Sequence, residues 1–392
     1  MRVGLYIHVP FCKAKCAYCD FASVAGHEEW YIPYSQAVIE ELRQRPGLKG
    51  IDTSEDWQAE TVYIGGGTPS VLPLSMLAAI LEAVWEEYAP PADAEVTIEV
   101  NPGTVDRSTL SHLRKLGVNR LSVGVQSFHD AELRLLGRIH DRRRALETLD
   151  EAREAGFHNV NLDLIFGLPQ QTLADWQTTL TQALYCRPDH ISLYALSVEE
   201  GTPLARRIAQ GELPPPDEDL AAEMYLLADA MLTDAGYQQY EISNWALPGA
   251  ESRHNIHVWL NGPYLGFGPA AHSHLGRRRW WNVADLPTYV HRVKAGEPPV
   301  AGSEELDVAT DMGETMMLGL RLVRDGVSVE RFRQRYGQTP AHVYGVVLDE
   351  LVAWGLLEVT PERIRLTRRG RLLGNQVFAR FLPNHGRTSQ RV

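Results

Sequence analysis

Six short runs of strand-forming residues, with helically spaced stretches between them, constrain this chain more than any other feature. The runs are Leu5–Val9, Thr61–Ile64, Glu95–Val100, Arg120–Val125, Asn159–Ile165 and His190–Leu196. Apolar residues recur at helical spacing over Met76–Trp85, Leu110–Leu116, Ala145–Ala155, Leu173–Leu184 and Leu220–Leu232. Alternation of this kind predicts right-handed βα units on a parallel sheet. Six units fall short of a closed eight-stranded barrel. The expected fold is therefore α/β, an open partial (β/α)6 barrel over residues 1–238.

In parallel α/β folds, binding groups gather at the carboxyl ends of strands. The chemically useful residues fall there. A loop bearing Cys12, Cys16 and Cys19 follows the first run, Gly65-Gly66-Gly67-Thr68-Pro69 follows the second, and Glu99 ends the third. Gln126 follows the fourth, while Asp163 and Tyr194 lie late in the fifth and sixth. The chain has only four cysteines, too few and too clustered for a secreted disulfide framework. With the spacing Cys-x3-Cys-x2-Cys, three thiolates can hold three irons of a [4Fe–4S] cluster and leave the fourth iron open. A zinc knuckle with His8 as fourth ligand is the alternative. The glycine run reads as a tight turn or as a close backbone approach to a small polar ligand. Its place beside the cysteine loop favours the ligand.

Residues 239–304 are rich in Trp, His, Gly and Pro with little periodicity, and read as a connecting region. Residues 305–382 return to helices (Met312–Leu322, Val329–Tyr336, Ala341–Trp354) and close with strands around Leu356–Val359 and Arg363–Leu366. That pattern predicts an α+β winged-helix-like domain, with 383–392 as a tail. A net charge of −12 repels phosphate backbones, so no nucleic-acid partner is expected. The stretch from Pro361 carries eight arginines against one acid, Glu362. It suits solvent, an acidic protein partner or peripheral contact with a membrane. No apolar run reaches the roughly 18–20 residues a membrane helix needs. Pro10 and Cys12 interrupt the N-terminus before a signal-peptide core could finish, so a cytoplasmic protein is expected.

The run Tyr6-Ile7-His8-Val9-Pro10-Phe11-Cys12 through Cys19, with GGGTPS at 65–70, resembles the radical S-adenosylmethionine (SAM) superfamily. More narrowly it resembles the oxygen-independent coproporphyrinogen III oxidase branch. The likeness continues through Glu99 in TIEVNPG, Gln126 in SVGVQSF, Arg138 and His140 in GRIH, and Asp163 in NLDLIFGLP, and spans essentially the whole chain. It implies a [4Fe–4S] cluster on Cys12, Cys16 and Cys19 that, fed by a low-potential electron donor, cleaves SAM to a 5′-deoxyadenosyl radical. It also implies a SAM pocket of Tyr6, Tyr18, Gly66, Gly67, Thr68, Glu99, Gln126, Arg138, Asp163 and Ala195. Glu99 and Asp163 suit ribose hydroxyls or an amine, and Arg138 suits the methionyl carboxylate.

The branch divides at Cys19-Asp20-Phe21. The decarboxylating oxidase pattern has a further cysteine where Phe21 stands, whereas Cys-x3-Cys-x2-Cys-x-Phe resembles the branch's heme chaperone group. Cys186, before Arg187-Pro188, reads as a buried small hydrophobe. Arg253-His254-Asn255-Ile256-His257-Val258-Trp259 resembles that group's His-Asn-x-x-Tyr-Trp motif, with Val258 in place of tyrosine. It makes His254 the candidate heme contact and His257 the alternative. Arg277-Arg278-Arg279 reads either as a partner for heme propionates or as an exposed charged loop. The expected function is a heme chaperone that binds heme, a [4Fe–4S] cluster and SAM and transfers heme to heme-dependent respiratory proteins. The rival is an oxygen-independent coproporphyrinogen III oxidase. Nothing in the sequence sets the oligomeric state, and a dimer is compatible with it.

Overall fold

The computed structural model describes residues 1–44 and 57–383. All six expected strands form: β1 (Arg2–Val9), β2 (Gln58–Gly66), β3 (Glu95–Val100), β4 (Arg120–Gln126), β5 (Val160–Phe166) and β6 (His190–Ala195). They lie side by side in chain order, each pair parallel. Helices Leu74–Tyr88, Arg107–Lys115, Arg142–Glu154 and Leu173–Tyr185 connect β2 through β6. The connection from β1 adds a helix, Tyr31–Gln44, that the sequence pattern does not reveal. Its Pro33 sits in the first turn, where a missing N–H costs nothing. The result is the partial (β/α)6 barrel.

The strands alternate sharply. On one face Leu5, Ile7, Val62, Ile64, Val96, Ile98, Leu121, Val123, Leu162 and Leu164 are buried in a single core. Each contributes about 1.5–3 kcal/mol by burial. The other face is polar and hydrogen-bonded to itself. Ser122 Oγ donates to Asp163 at 2.9 Å, and Asn161 Nδ2 donates to Ser122 Oγ at 2.7 Å. His190 Nδ1 lies 2.6 Å from Asn161 Oδ1, which also accepts from Ser192 Oγ. Closed eight-stranded barrels fill this space with branched apolar side chains. Here the lumen is a polar column.

Residues 239–304 hold more regular structure than their composition suggests. Beside β6, β7 (Gln238–Glu241) and β8 (Asn244–Ala246) add antiparallel strands. On the far edge β9 (Tyr264–Phe267) pairs parallel with β1, and β10 (His272–Leu275), β11 (Arg278–Asn282) and β12 (Val300–Glu305) continue antiparallel. Among the described residues the sheet thus reaches twelve strands. These added strands are three to six residues long, too short for a two-residue period to stand out.

The C-terminal domain packs helices Val308–Arg321, Val329–Tyr336 and Pro340–Ala353 against a three-stranded antiparallel sheet, β13 (Val327–Ser328), β14 (Leu357–Val359) and β15 (Arg363–Leu366). It has its own core of Met316, Leu320, Phe332, Leu351 and Ile364. Arg321 ties it to the barrel, stacked 4.3 Å from the Trp259 ring and 3.6 Å from the buried Glu241 carboxylate. Among the described residues no helix is long and apolar enough to cross a membrane.

Glu41, on the first helix, pins the outer strands. Its carboxylate accepts from Gly268 N at 2.9 Å, Asn282 Nδ2 at 2.6 Å and the Tyr289 hydroxyl at 2.6 Å. Burial lifts its pKa to about 7, against the opposing pull of those donors. The folded state therefore holds this proton more tightly than the unfolded chain. The resulting stabilisation is full below the ordinary carboxylate range and is lost as pH rises through about 7. Unfolding by denaturant between pH 5 and pH 8 should show stability falling more steeply in the wild type than in Glu41→Gln. Glu41→Leu, which orphans all three donors, should lose about 3 kcal/mol or more. Equal slopes, or an unweakened Leu variant, would contradict this role.

Candidate functional site

The cysteine loop is fastened before it can hold anything. Beneath it, His8 Nε2 lies 2.9 Å from Ala22 O and Nδ1 lies 3.1 Å from the Tyr6 hydroxyl. Short parallel strands Phe11–Cys12 and Val24–Ala25 close the loop on itself. Lys15 Nζ reaches the carbonyls of Phe21 and Ser23. Ala17 bonds through its backbone to Leu136 and Leu204. Cys12, Cys16 and Cys19 are free thiols lining one cavity of about 530 Å³ at the carboxyl ends of the strands. Both nitrogens of His8 are engaged elsewhere, so His8 is not free to serve as the fourth ligand of the zinc alternative.

The glycine run lets this loop approach. Gly67 N donates to Val9 O at 2.8 Å and Thr68 N to Phe11 O at 2.7 Å. A Cβ on Gly67 would stand 2.6 Å from Phe11 O and 3.0 Å from Cys12 Sγ. Gly66 has φ +116°, and a Cβ there would lie 2.7 Å from the His8 ring. The turn is glycine because the cysteine loop lies against it. Its Gly66 N–H donates to Glu99 Oε2 at 3.0 Å, and the Tyr63 hydroxyl donates to Glu99 Oε1 at 2.8 Å. Burial, then the neighbouring Asp163 charge, raises the Glu99 pKa to about 7. Burial raises Asp163 as well.

Arg138 crosses to the cysteines. One guanidinium nitrogen donates to Cys16 Sγ at 3.3 Å and the other to Asn101 Oδ1 at 2.8 Å and Gly124 O at 2.6 Å. The family resemblance assigns Arg138 to a carboxylate; here those two nitrogens hold protein atoms and its Nε is buried without a partner. Gln126 follows a bulge with φ +67°, and its Oε1 is also buried without a partner. His140 is spent on Asn101 and Val125. Burial raises Cys12 and Cys19, so loading a cluster releases protons from them.

The cavity brings together Tyr18, Gly66, Gly67, Thr68, Glu99, Gln126, Arg138, Asp163 and Ala195 with the three cysteines. Tyr6 stands one layer lower, stacked 6.1 Å from Tyr63. Sequence reasoning misses Tyr63, Asn101, Ser122 and Asn161, which position Glu99, Arg138 and Asp163. Two-residue alternation would find most of them, since Tyr63 precedes Gly65 and Asn161 precedes Asp163 on the same strand face. His254 lies away from this cavity. It is 6% exposed, bonds Thr61 Oγ1 through Nδ1 at 2.8 Å, and sits 5.2 Å from the Tyr63 ring. Its helix, Arg253–Trp259, is capped by the Glu95 carboxylate through the N–H groups of Arg253 and His254. His254 thus plugs the amino end of the barrel. Burial lowers its pKa to about 3, so its ring is neutral. His257 Nε2 lies 2.7 Å from Pro263 O.

Three thiols and two polar groups with an unpartnered atom, Arg138 Nε and Gln126 Oε1, in one cavity fit a cluster with a polar organic ligand beside it. The Gly67 contact gives a test. Gly67→Ala should displace Cys12 at a cost of about 1–3 kcal/mol and lower the iron and sulfide retained after anaerobic reconstitution. Full retention would show that this approach does not set the thiol's position.

Comparison with known proteins agrees with this geometry. The radical SAM superfamily model matches residues 6–183, and the HemN C-terminal domain matches 306–373. The heme chaperone HemW of Mycobacterium tuberculosis H37Rv is 38% identical, covering 97% of this chain and 94% of its own. That of Bacillus subtilis is 37% identical over 96% and 98%. A mouse mitochondrial radical SAM domain-containing protein 1 is 38% identical over 97% and 88%. Among solved structures, Escherichia coli HemN, a coproporphyrinogen III oxidase, superposes with a TM-score of 0.84 at 26% identity, covering 97% of this chain and 90% of its own. The chain belongs to the HemW family of heme chaperones within the radical SAM superfamily.

Proposed function

We propose that this protein binds heme and passes it to heme-dependent respiratory proteins, while holding a [4Fe–4S] cluster and SAM in the barrel mouth. The observation that carries the reading is near full-length likeness to heme chaperones at 36–38% identity. Phe21 supports it: where the oxidase pattern has a cysteine, this side chain is 63% exposed and lines the cavity.

Cys12, Cys16 and Cys19 hold the cluster, which when bound supplies a low-potential electron to SAM. Arg138, beside Cys16, offsets negative charge on the thiolates. Glu99 and Asp163 accept hydrogen bonds from ammonium or hydroxyl groups, and Gln126 Oε1 accepts one more. Thr68 Oγ1 steadies Cys12 from 3.7 Å. His254, with His257 as the alternative, is the proposed heme contact. A low-potential electron donor is the partner this reading requires.

Three measurements test this. Cys16→Ser should lose the brown cluster absorbance, and full iron and sulfide in that variant would remove the cluster assignment. Arg138→Ala should weaken SAM binding by about 1.5–3 kcal/mol, the range for a hydrogen bond to a charged group. Unchanged affinity would take Arg138 out of the pocket. Anaerobic titration should give one heme per chain, transferable to a heme-free acceptor. Absence of binding would refute the chaperone reading.

A further inference from the structure

The segment that returns the cysteine loop to the barrel, Phe21-Ala22-Ser23, is held by its carbonyls. Phe21 and Ala22 expose their side chains, so no apolar anchor fixes this return. Instead each carbonyl is taken. Phe21 O accepts from Ser23 N at 2.7 Å and from Lys15 Nζ at 3.2 Å. Ala22 O faces His8 Nε2 at 2.9 Å, and Ser23 O accepts from Lys15 Nζ at 3.3 Å. His8 thus holds the return from the barrel, and the exposed Lys15 holds it from the loop itself.

The same return supplies hydrogen bonds to sulfur. Burial raises the Cys12 and Cys19 thiols, and nearby donors oppose it. The Thr68 and Ser23 hydroxyls favour the Cys12 thiolate, and the Phe21 backbone N–H favours that of Cys19. Cys16 receives Arg138 at 3.3 Å. The Phe21 and Ser23 donors therefore sit on the segment whose carbonyls Lys15 holds. The lysine charge also acts on Cys19 directly, in the same sense.

Residue type agrees with that task. The chain has five lysines, Lys13, Lys15, Lys49, Lys115 and Lys294, among 38 basic residues, and Lys13 and Lys15 both stand between Cys12 and Cys16. A lysine carries three donors on one compact charged nitrogen, so a single tip can serve two carbonyls. The two loop lysines are not equivalent. Lys15 lines the cavity with the cysteines, whereas Lys13 donates to Gly103 O at 2.9 Å and is not among the lining residues.

We propose that Lys15 is a positioning residue that sets the reduction potential of the cluster held by Cys12, Cys16 and Cys19. By pinning the Phe21 and Ser23 carbonyls it aims the N–H and the hydroxyl of that return at sulfur, and its charge adds to their effect. Hydrogen bonds to sulfur and net charge both tune such a cluster, and both favour its reduced, more negative form. The proposal rests on the cluster assignment above and deepens it to control of the potential.

Full-length protein with its cluster rebuilt anaerobically, without SAM, is titrated with a low-potential reductant through redox dyes and followed by electron paramagnetic resonance. Lys15→Met should keep its iron and sulfide yet be harder to reduce. Its equilibrium should shift about tenfold toward the oxidised cluster, or about 59 mV for one electron. Lys15→Arg should recover most of that shift, and Lys13→Met should move the equilibrium by less. Lys15→Gln, which keeps a neutral donor, should shift in the same direction and decides the matter where the methionine variant loads poorly. Loaded Lys15→Met or Lys15→Gln at the wild-type potential overturns the proposal, as does Lys13→Met matching Lys15→Met. Loss of the cluster from both neutral Lys15 variants makes the lysine a folding residue and overturns it too. A wild type that takes up no iron and sulfide overturns the cluster assignment, and this proposal with it.

Discussion

The close approach between the glycine turn after β2 and the cysteine loop after β1 governs this molecule. Gly67 N on Val9 O and Thr68 N on Phe11 O join two loops that neighbouring parallel strands have brought to one end of the barrel. Any side chain on Gly67 would enter the space of Cys12. Glu99 extends the same contact by accepting from Gly66 N and the Tyr63 hydroxyl, so the third strand is keyed to the first two. Thiols positioned in this way do not depend on the loop's own stiffness. Arg138 brings a guanidinium nitrogen to 3.3 Å from Cys16 Sγ.

The polar lumen follows from the same plan. A six-stranded open barrel that must present carboxylates and hydroxyls at one end cannot fill its inner face with apolar side chains, because alternation along each strand carries polar residues down the column. Ser122, Asn161, Ser192 and His190 satisfy one another, and His254 closes the amino end on Thr61. Buried networks of this type are stabilising only when every group is paired. Thr97 Oγ1, Arg120 Nε and Asn159 Oδ1 are left over. Stability comes instead from the opposite face, where the helices cover aliphatic side chains of every strand.

Much of this arrangement is legible in the amino-acid sequence. Six strands with apolar–polar alternation and turn residues at their carboxyl ends define the sheet order directly, since parallel neighbours with helical crossovers have few alternatives. The site is legible because its residues cluster at those ends. Arg138's partners are not, since no spacing rule places a residue after β4 against Cys16. The outer strands β7 to β12 are hidden for a different reason: Tyr264-Leu265-Gly266-Phe267 and His272-Ser273-His274-Leu275 are too short and too mixed to show a period. His254 looks like a ligand because of its motif. Only the fold reveals that its ring faces Thr61 and Tyr63.

The central claim is that a radical-SAM barrel here serves heme delivery rather than porphyrin decarboxylation. Protein with a reconstituted cluster, SAM and a low-potential reductant should be offered coproporphyrinogen III anaerobically, and the products separated by chromatography, with heme binding and hand-over followed on the same preparation. The account predicts heme bound and transferred with no decarboxylated product. Accumulation of protoporphyrinogen over several turnovers would contradict it and place this chain with the oxidases.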